Sequence, residues 1–266
     1  MRAVSMIIEL LLPSLLVGLL IALASGCLGC FVIWRKMAFF SDALAHSAIL
    51  GTGLALIANI DILWGLLGYG AIVAIIMARF DNALHYSGDT LLAIISQISL
   101  AIGLLLIPFA PKPINIEALL FGDILAATWS NVGISTAITA TILVTLSVFW
   151  RQLLDMSINE ELAATEGVPV QRLKLILFLL LVGLIAIAVQ VVGVLLISAL
   201  LLIPVASARK FAHTPLQMLL LSPMLGLIAV ISGLFIAYQY DTSAGPTVVV
   251  AAASLWLLSL LKKSTA

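Results

Sequence analysis

The chain has 266 residues, of which 64% are apolar and 9% charged, where soluble domains carry about 25% charged residues. With mean hydropathy at +1.29, too few polar groups are present to coat a soluble globule of this size, so the protein reads as an integral, polytopic membrane protein. Twelve basic and twelve acidic residues cancel to a formal net charge of zero, which leaves no argument for nucleic acid binding.

A membrane-spanning helix needs roughly 20 mainly apolar residues. In chain order the stretches that qualify are 8–33, 38–58, 62–78, 91–109, 130–149, 174–192, 194–208, 216–238 and 245–261. All are expected to be helical, because a lone apolar stretch in lipid must satisfy its own backbone groups. The fold class is therefore all-α with nine spans. The weak place is the pair 174–192 and 194–208: only Gly193 separates them, and the second is short and contains Pro204. A broken or partial helix there would bring the count to eight.

Within the first stretch, "LASGC" ends at Cys27 in the manner of a lipoprotein signal. Glu9 and Pro13 interrupt the required regions, and Ala24 stands where leucine is favoured, so 8–33 is read as a retained span. Cys27 and Cys30 cannot form a disulfide framework. Three residues apart in a helix they read as small hydrophobes, with a soft zinc-ligand pair as the alternative.

Lys and Arg near span ends set the orientation. With nine spans and the N-terminus outside, Arg35, Lys36, Arg79, Arg151, Arg172, Lys174, Arg209, Lys210, Lys262 and Lys263 fall on the cytoplasmic side, and only Arg2 and Lys112 outside. The C-terminus is then cytoplasmic, and Asp61, Glu117, Asp123 and Asp241 lie at or near the outer face. No long linker or internal repeat divides residues 1–266, so a single transmembrane domain is expected. Its longest polar segment, 150–173, is cytoplasmic, and the next is 79–90.

The second span begins "RKMAFFSDALAHSAILG" (35–51) and carries Asp42 and His46. Side chains four apart share one helix face. At 1.5 Å per residue from Lys36, Asp42 is about 9 Å and His46 about 15 Å along the helix, between the inner half and the midplane. An Asp in the middle of a span costs about 2.5–3.5 kcal/mol, so it should face protein or water. A carboxylate with an imidazole suits a divalent first-row cation: zinc first, manganese and iron next. A structural Asp–His pairing and a proton relay use the same residues, and spacing does not separate the three.

Glu117, Asp123 and Asp241 are weaker metal candidates; they could attract cations by field or simply be solvated loop carboxylates. Asp81, His85 and Asp89 recur every four residues in an inner loop; they could line a metal exit, but the loop's polarity and Gly88 favour a solvated segment. His213 follows Arg209 and Lys210 at a span end and reads as interfacial. In "NEELAATEG" (159–167), Asn159 is a candidate N-cap, Glu160 and Glu161 form the first turn, and Gly167 with Pro169 stops the helix. This compact helix with a polar face either docks on a partner or is a plain surface element. No HExxH, GxSxG, Walker or calcium-loop motif is present, so the chain is not expected to be an enzyme.

Five segments carry a family resemblance: "FVIWRKMAFFSDALAHSAILG" (31–51), "LLFGDILA" (119–126), "EELAATEGV" (160–168), "VGVLLISALLLIPVASAR" (192–209) and "YDTSAGPTVVV" (240–250). With them the sequence resembles the permease subunits of bacterial ABC importers for divalent metals, and most closely those for zinc uptake in Gram-negative bacteria. The resemblance implies an ABC importer permease fold in the inner membrane and a homodimer of this chain. It further implies two cytoplasmic ATP-binding subunits that supply the hydrolysis, and a periplasmic zinc-binding protein. Asp42 and His46 would be the metal-contacting pair, with Zn2+ as transported ion and Mn2+ or Fe2+ as alternatives, and no permanently bound cofactor. Asn159, Glu160, Glu161, Leu162, Ala163, Ala164 and Gly167 would belong to a coupling helix seated on the ATPase, with Leu162 departing from the usual alanine.

Overall fold

The computed structural model describes residues 2–80, 88–111, 122 and 124–261. Among these the architecture is all-helical. The helices are α1 (Arg2–Trp34), α2 (Ala38–Ile57), α3 (Ile62–Phe80), α4 (Gly88–Leu106), α5 (Trp129–Val148), α6 (Trp150–Ile158), α7 (Glu160–Thr165), α8 (Val170–Val192), α9 (Val194–Arg209), α10 (Pro215–Tyr240) and α11 (Ala244–Leu260), with short 3₁₀ turns at Ile107–Phe109 and Ile124–Ala126. Each of the nine predicted apolar stretches is a helix. Seven are long and apolar enough to cross a membrane, while α9 and α11 are shorter apolar helices.

Burial sorts them into an inner and an outer set. In α1, α2 and α8, 72, 72 and 67% of the apolar stretch is buried, against 33% or less in α3, α4, α5 and α10. α2 lies against α3, α4, α8 and α9, while α1 packs on α5, α9 and α10. Small residues make the inner contacts close. Ala43, Ala45, Ala48 and Gly51 leave the α2 backbone open to its neighbours, and a Cβ on Gly103 of α4 would sit 2.7 Å from the Leu50 amide nitrogen. Without a hydrophobic drive between helices in lipid, such close van der Waals packing is what holds a bundle together.

The expected weak place between two spans is real, and its cause is local. Gly193 has φ 87° and ψ 162°, a conformation essentially reserved for glycine, and serves at once as C-cap of α8 and N-cap of α9. The break falls there and not at Pro204, which sits inside a continuous α9. The bend is packed as well as turned: a Cβ on Gly122 would collide with the Val192 carbonyl carbon and the Gly193 nitrogen. Gly193→Ala is therefore expected to lower thermal stability in detergent by about 1–3 kcal/mol, the usual cost of one residue held in such a region. An unchanged melting temperature would show that the bend is relaxed by other means.

One end of the bundle gathers the ends of α1, α2, α6, α8, α9 and α10. Phe31, Trp34 and Trp150 interlock edge-on with centroids 5.1–6.2 Å apart, and Trp34, Lys36, Arg209 and Pro215 line one cleft. Arg35, Lys36, Arg151, Lys174 and Arg209 thus share this end, as the uneven placement of basic residues requires of a common side. The polar segment 150–173 holds two helices where one was predicted. α6 was not placed from the sequence because it is short and strongly two-faced: its apolar residues are interleaved with Arg151, Gln152, Asp155 and Ser157, and only Leu153 and Met156, three apart, are buried.

Candidate functional site

Asp42 and His46 lie in the first half of α2, on the one edge of that helix that its neighbours leave open. Ala43, Leu44, Ala45, Ser47 and Ala48 are all buried, whereas the Asp42 side chain is 52% and the His46 side chain 28% exposed. Asp42 Oδ2 stands 3.8 Å from His46 Nδ1, beyond hydrogen-bond reach. The pair is therefore not a structural lock; both groups keep most of their bonding capacity.

Two serines from other helices complete the surroundings, and sequence reasoning named neither. Ser198, in the second turn of α9, donates a long 3.5 Å hydrogen bond to Asp42 Oδ1. Ser96 of α4 lies 3.3 Å from His46 Nδ1. With Nδ1 engaged by that hydroxyl, Nε2 is the nitrogen left for a ligand, the arrangement by which outer partners fix the tautomer of a ligating imidazole. One carboxylate oxygen and one imidazole nitrogen on a common open face are a half-set of donors for a borderline cation. Among the described residues no third Asp, Glu, His or Cys joins them, so the remaining coordination is left to water or another chain.

Of the weaker metal candidates, only Asp241 lies among the described residues, and it forms no metal-donor group with the pair. Asp241 is the exposed left-handed C-cap of α10, at φ 51°. Glu117 and Asp123 lie outside the described residues, as do Asp81 and His85; Asp89 falls in the first turn of α4. Cys27 and Cys30 are buried free thiols in α1, and Cys30 Sγ is 3.3 Å from both the Gly26 carbonyl and Ser222 Oγ, which is the packing role expected. His213 is exposed, and its backbone N–H donates to Gln217 Oε1 at 2.8 Å.

α7 is built as its punctuation predicted. Asn159 Oδ1 accepts from the Leu162 N–H at 3.0 Å, and Gly167 at φ 86° ends the turn. Ala163 is buried, while Glu161, Leu162 and Ala164 are exposed, Leu162 by 56% beside Ile158 at 76%. Glu160 points the other way. Its Oε2 accepts from Arg35 Nη2 at 2.9 Å and its Oε1 from Lys174 Nζ at 3.0 Å, with Lys174 only 1% exposed. Partial burial pushes the Glu160 carboxyl up, but the hydrogen bond and charge of Lys174 and the charge of Arg35 outweigh it, so the net displacement is downward from 4.5. The sign follows: the cluster stabilises the fold fully above the ordinary carboxylate range, and that contribution is lost as pH falls through the lowered value.

Comparison with known proteins gives a consistent result. The family model described as the ABC 3 transport family matches residues 7–263. The chain is 38% identical to the "High-affinity zinc uptake system membrane protein ZnuB" of Haemophilus influenzae, over 96% of this chain and 98% of that protein. It is 33% identical to the "Manganese import system permease protein ScaB" of Streptococcus gordonii, over 92% of this chain and 88% of that one. Among solved structures, "PsaBC from Streptococcus pneumoniae in complex with Fab" superposes with a TM-score of 0.86 at 34% identity, covering 95% of this chain and 91% of that one.

Proposed function

The chain belongs to the ABC 3 transport family, and on that premise we propose that it is the membrane permease of an ATP-driven zinc importer in a bacterial inner membrane. The observation that carries the reading is the Asp42–His46 pair: two metal-donor side chains on the open edge of α2, whose side-chain hydrogen bonds among the described residues are long ones to two serines. Such a pair binds a dication without caging it, and transport requires entry and release from the same site. Ligation uses the neutral imidazole, so zinc and protons compete for one nitrogen.

The half-set of donors supports a working unit of two copies, in which the open edge of α2 faces a second chain or a water-filled path between them. A binding protein would deliver zinc at the outer face, and two ATP-binding subunits would act from the basic end of the bundle, where α7 presents Leu162 beside Ile158 at the end of α6. ATP binding and hydrolysis would then switch the path from outward to inward.

Manganese is the second reading, and it rests on the 33% identity to a manganese-system permease. The donor chemistry favours zinc: imidazole nitrogen strengthens binding of zinc far more than of manganese, which suits all-oxygen sites. The test is uptake by proteoliposomes holding the permease with its ATPase, fed by its binding protein loaded with either metal. Saturable zinc uptake that equimolar manganese leaves unchanged is expected. Preferential manganese uptake would overturn the assignment of the metal, and no uptake of either would overturn the function.

A further inference from the structure

Ser47 follows His46 in α2 and behaves unlike other hydroxyl residues of that helix. Ser41 donates to the Ala38 carbonyl at 3.1 Å and Thr52 to the Ala48 carbonyl at 2.9 Å. That bond back to the preceding turn is what a hydroxyl in an apolar helix ordinarily makes. Ser47 makes none: it is 1% exposed, and its Oγ is buried with no hydrogen-bond partner among the described residues. A hydroxyl so placed bears the full cost of its lost hydration unless something else bonds it.

Ser47 is also one wall of a cavity of about 10 Å³ between α2, α3 and α8, with Leu44, Leu66, Tyr69, Val182 and Ile185 among the others. That is the space of a single water, which takes about 10–15 Å³. Cavities that stay empty are apolar, whereas one with hydroxyls in its wall keeps water. Tyr69 supplies the second hydroxyl. Its oxygen stands 2.7 Å from Ser99 Oγ of α4, and the Ser99 proton is already given to the Ile95 carbonyl at 2.6 Å. Tyr69 is therefore the donor to Ser99, and its oxygen is left with acceptor capacity only. Ser47 has a proton to give, Tyr69 has a lone pair to receive one, and the two do not bond directly. A water between them matches both.

We propose that this cavity is a binding site for one ordered water, which accepts from Ser47 Oγ and donates to Tyr69 Oη. The water closes a hydrogen-bonded chain through three helices, from Ser47 of α2 to Tyr69 of α3, Ser99 of α4 and the Ile95 carbonyl. The outer two are the helix that carries His46 and the helix that carries its serine partner, Ser96. α2 is thereby tied to α4 twice: by the direct His46–Ser96 contact, and by the hydrated path that starts one residue further on. The site does not depend on which ion the chain carries, or on whether it carries one.

The experiment reads the melting temperature of the full-length permease in detergent for Ser47→Ala, Tyr69→Phe and the double variant. Each change removes a single oxygen and leaves the rest of the side chain in place. Deleting an orphaned hydroxyl stabilises and deleting a bonded one destabilises, so the sign of the Ser47→Ala shift is decisive. Ser47→Ala is expected to lower the melting temperature by about 2–4 °C, the shift that one lost hydrogen bond produces in a chain of this size. In the Tyr69→Phe background the water has already lost one anchor, and the same change should shift it by less than about 1 °C. A raised or unchanged temperature for Ser47→Ala would overturn the proposal. So would equal losses in both backgrounds, because a shared water makes the two changes non-additive. A crystallographic map of the unaltered permease that resolves ordered water checks the site without any variant. A peak within hydrogen-bond distance of both oxygens is expected, and a map with no peak there would sink the assignment.

Discussion

Replacing Asp42 or His46 by alanine is expected to reduce zinc uptake by at least about 100-fold, with the permease still folded and assembled. The magnitude follows from ligand arithmetic. A four-ligand zinc site is worth about 10–16 kcal/mol, so one ligand carries about 3 kcal/mol, which is more than a factor of 100. The selectivity of the effect follows from geometry. Asp42 is half exposed, its contact with Ser198 is 3.5 Å long and its distance to His46 is 3.8 Å, so its removal strands no buried partner. Polar groups that leave nothing unsatisfied behind are cheap to delete. Zinc-limited growth, uptake by proteoliposomes and melting temperature in detergent together check the result. Normal uptake by both variants would remove these residues from the path and with them the basis for the zinc reading.

Leu162→Asp is expected to separate the permease from its ATPase. The side chain stands 56% exposed in the first turn and a half of α7, next to Ile158 at 76%, and apolar groups so placed outside the spans call for cover. Burying a leucine in a partner groove contributes about 1.5–3 kcal/mol, so truncation alone would weaken the complex by about 10- to 150-fold. A carboxylate forced into the same groove costs more, because it must be desolvated without a partner. Since Ala163, not Leu162, is the buried face of α7, the permease itself should keep its stability. Copurification of the ATPase at wild-type yield would mean that α7 docks elsewhere or not at all.

The apolar spans were legible because lipid imposes a length and an all-round apolarity that few other constraints obscure, and the stretches read as 38–58 and 62–78 emerge as α2 and α3 within a residue or two. The Asp42–His46 spacing stood out for a related reason: ionisable side chains inside a span are rare and costly. Ser96 and Ser198 were not, since a serine in an apolar helix usually bonds back to its own turn, as Ser99 does to the Ile95 carbonyl at 2.6 Å. Only the packing of α4 and α9 on α2 makes them neighbours of the pair. Lys174 was legible only in part. It reads as a marker of sidedness at a span end, yet in the fold it is a buried partner of a carboxylate fourteen residues before it. Local pattern carries a residue's type and depth; it does not carry which distant side chain will meet it.

The two sulfhydryls of α1 have a practical bearing on how such a transport cycle would be followed. Cys27 and Cys30 are the only cysteines of the chain, and they are 6% and 0% exposed, so a polar maleimide or a spin-label reagent has no route to either in the folded protein. The natural sequence is thus already a silent background. A reporter thiol introduced on α7 and another at the open edge of α2 would be the sole sites to take label, and the separation between them could be tracked through ATP binding and release without first stripping the molecule of its own sulfur.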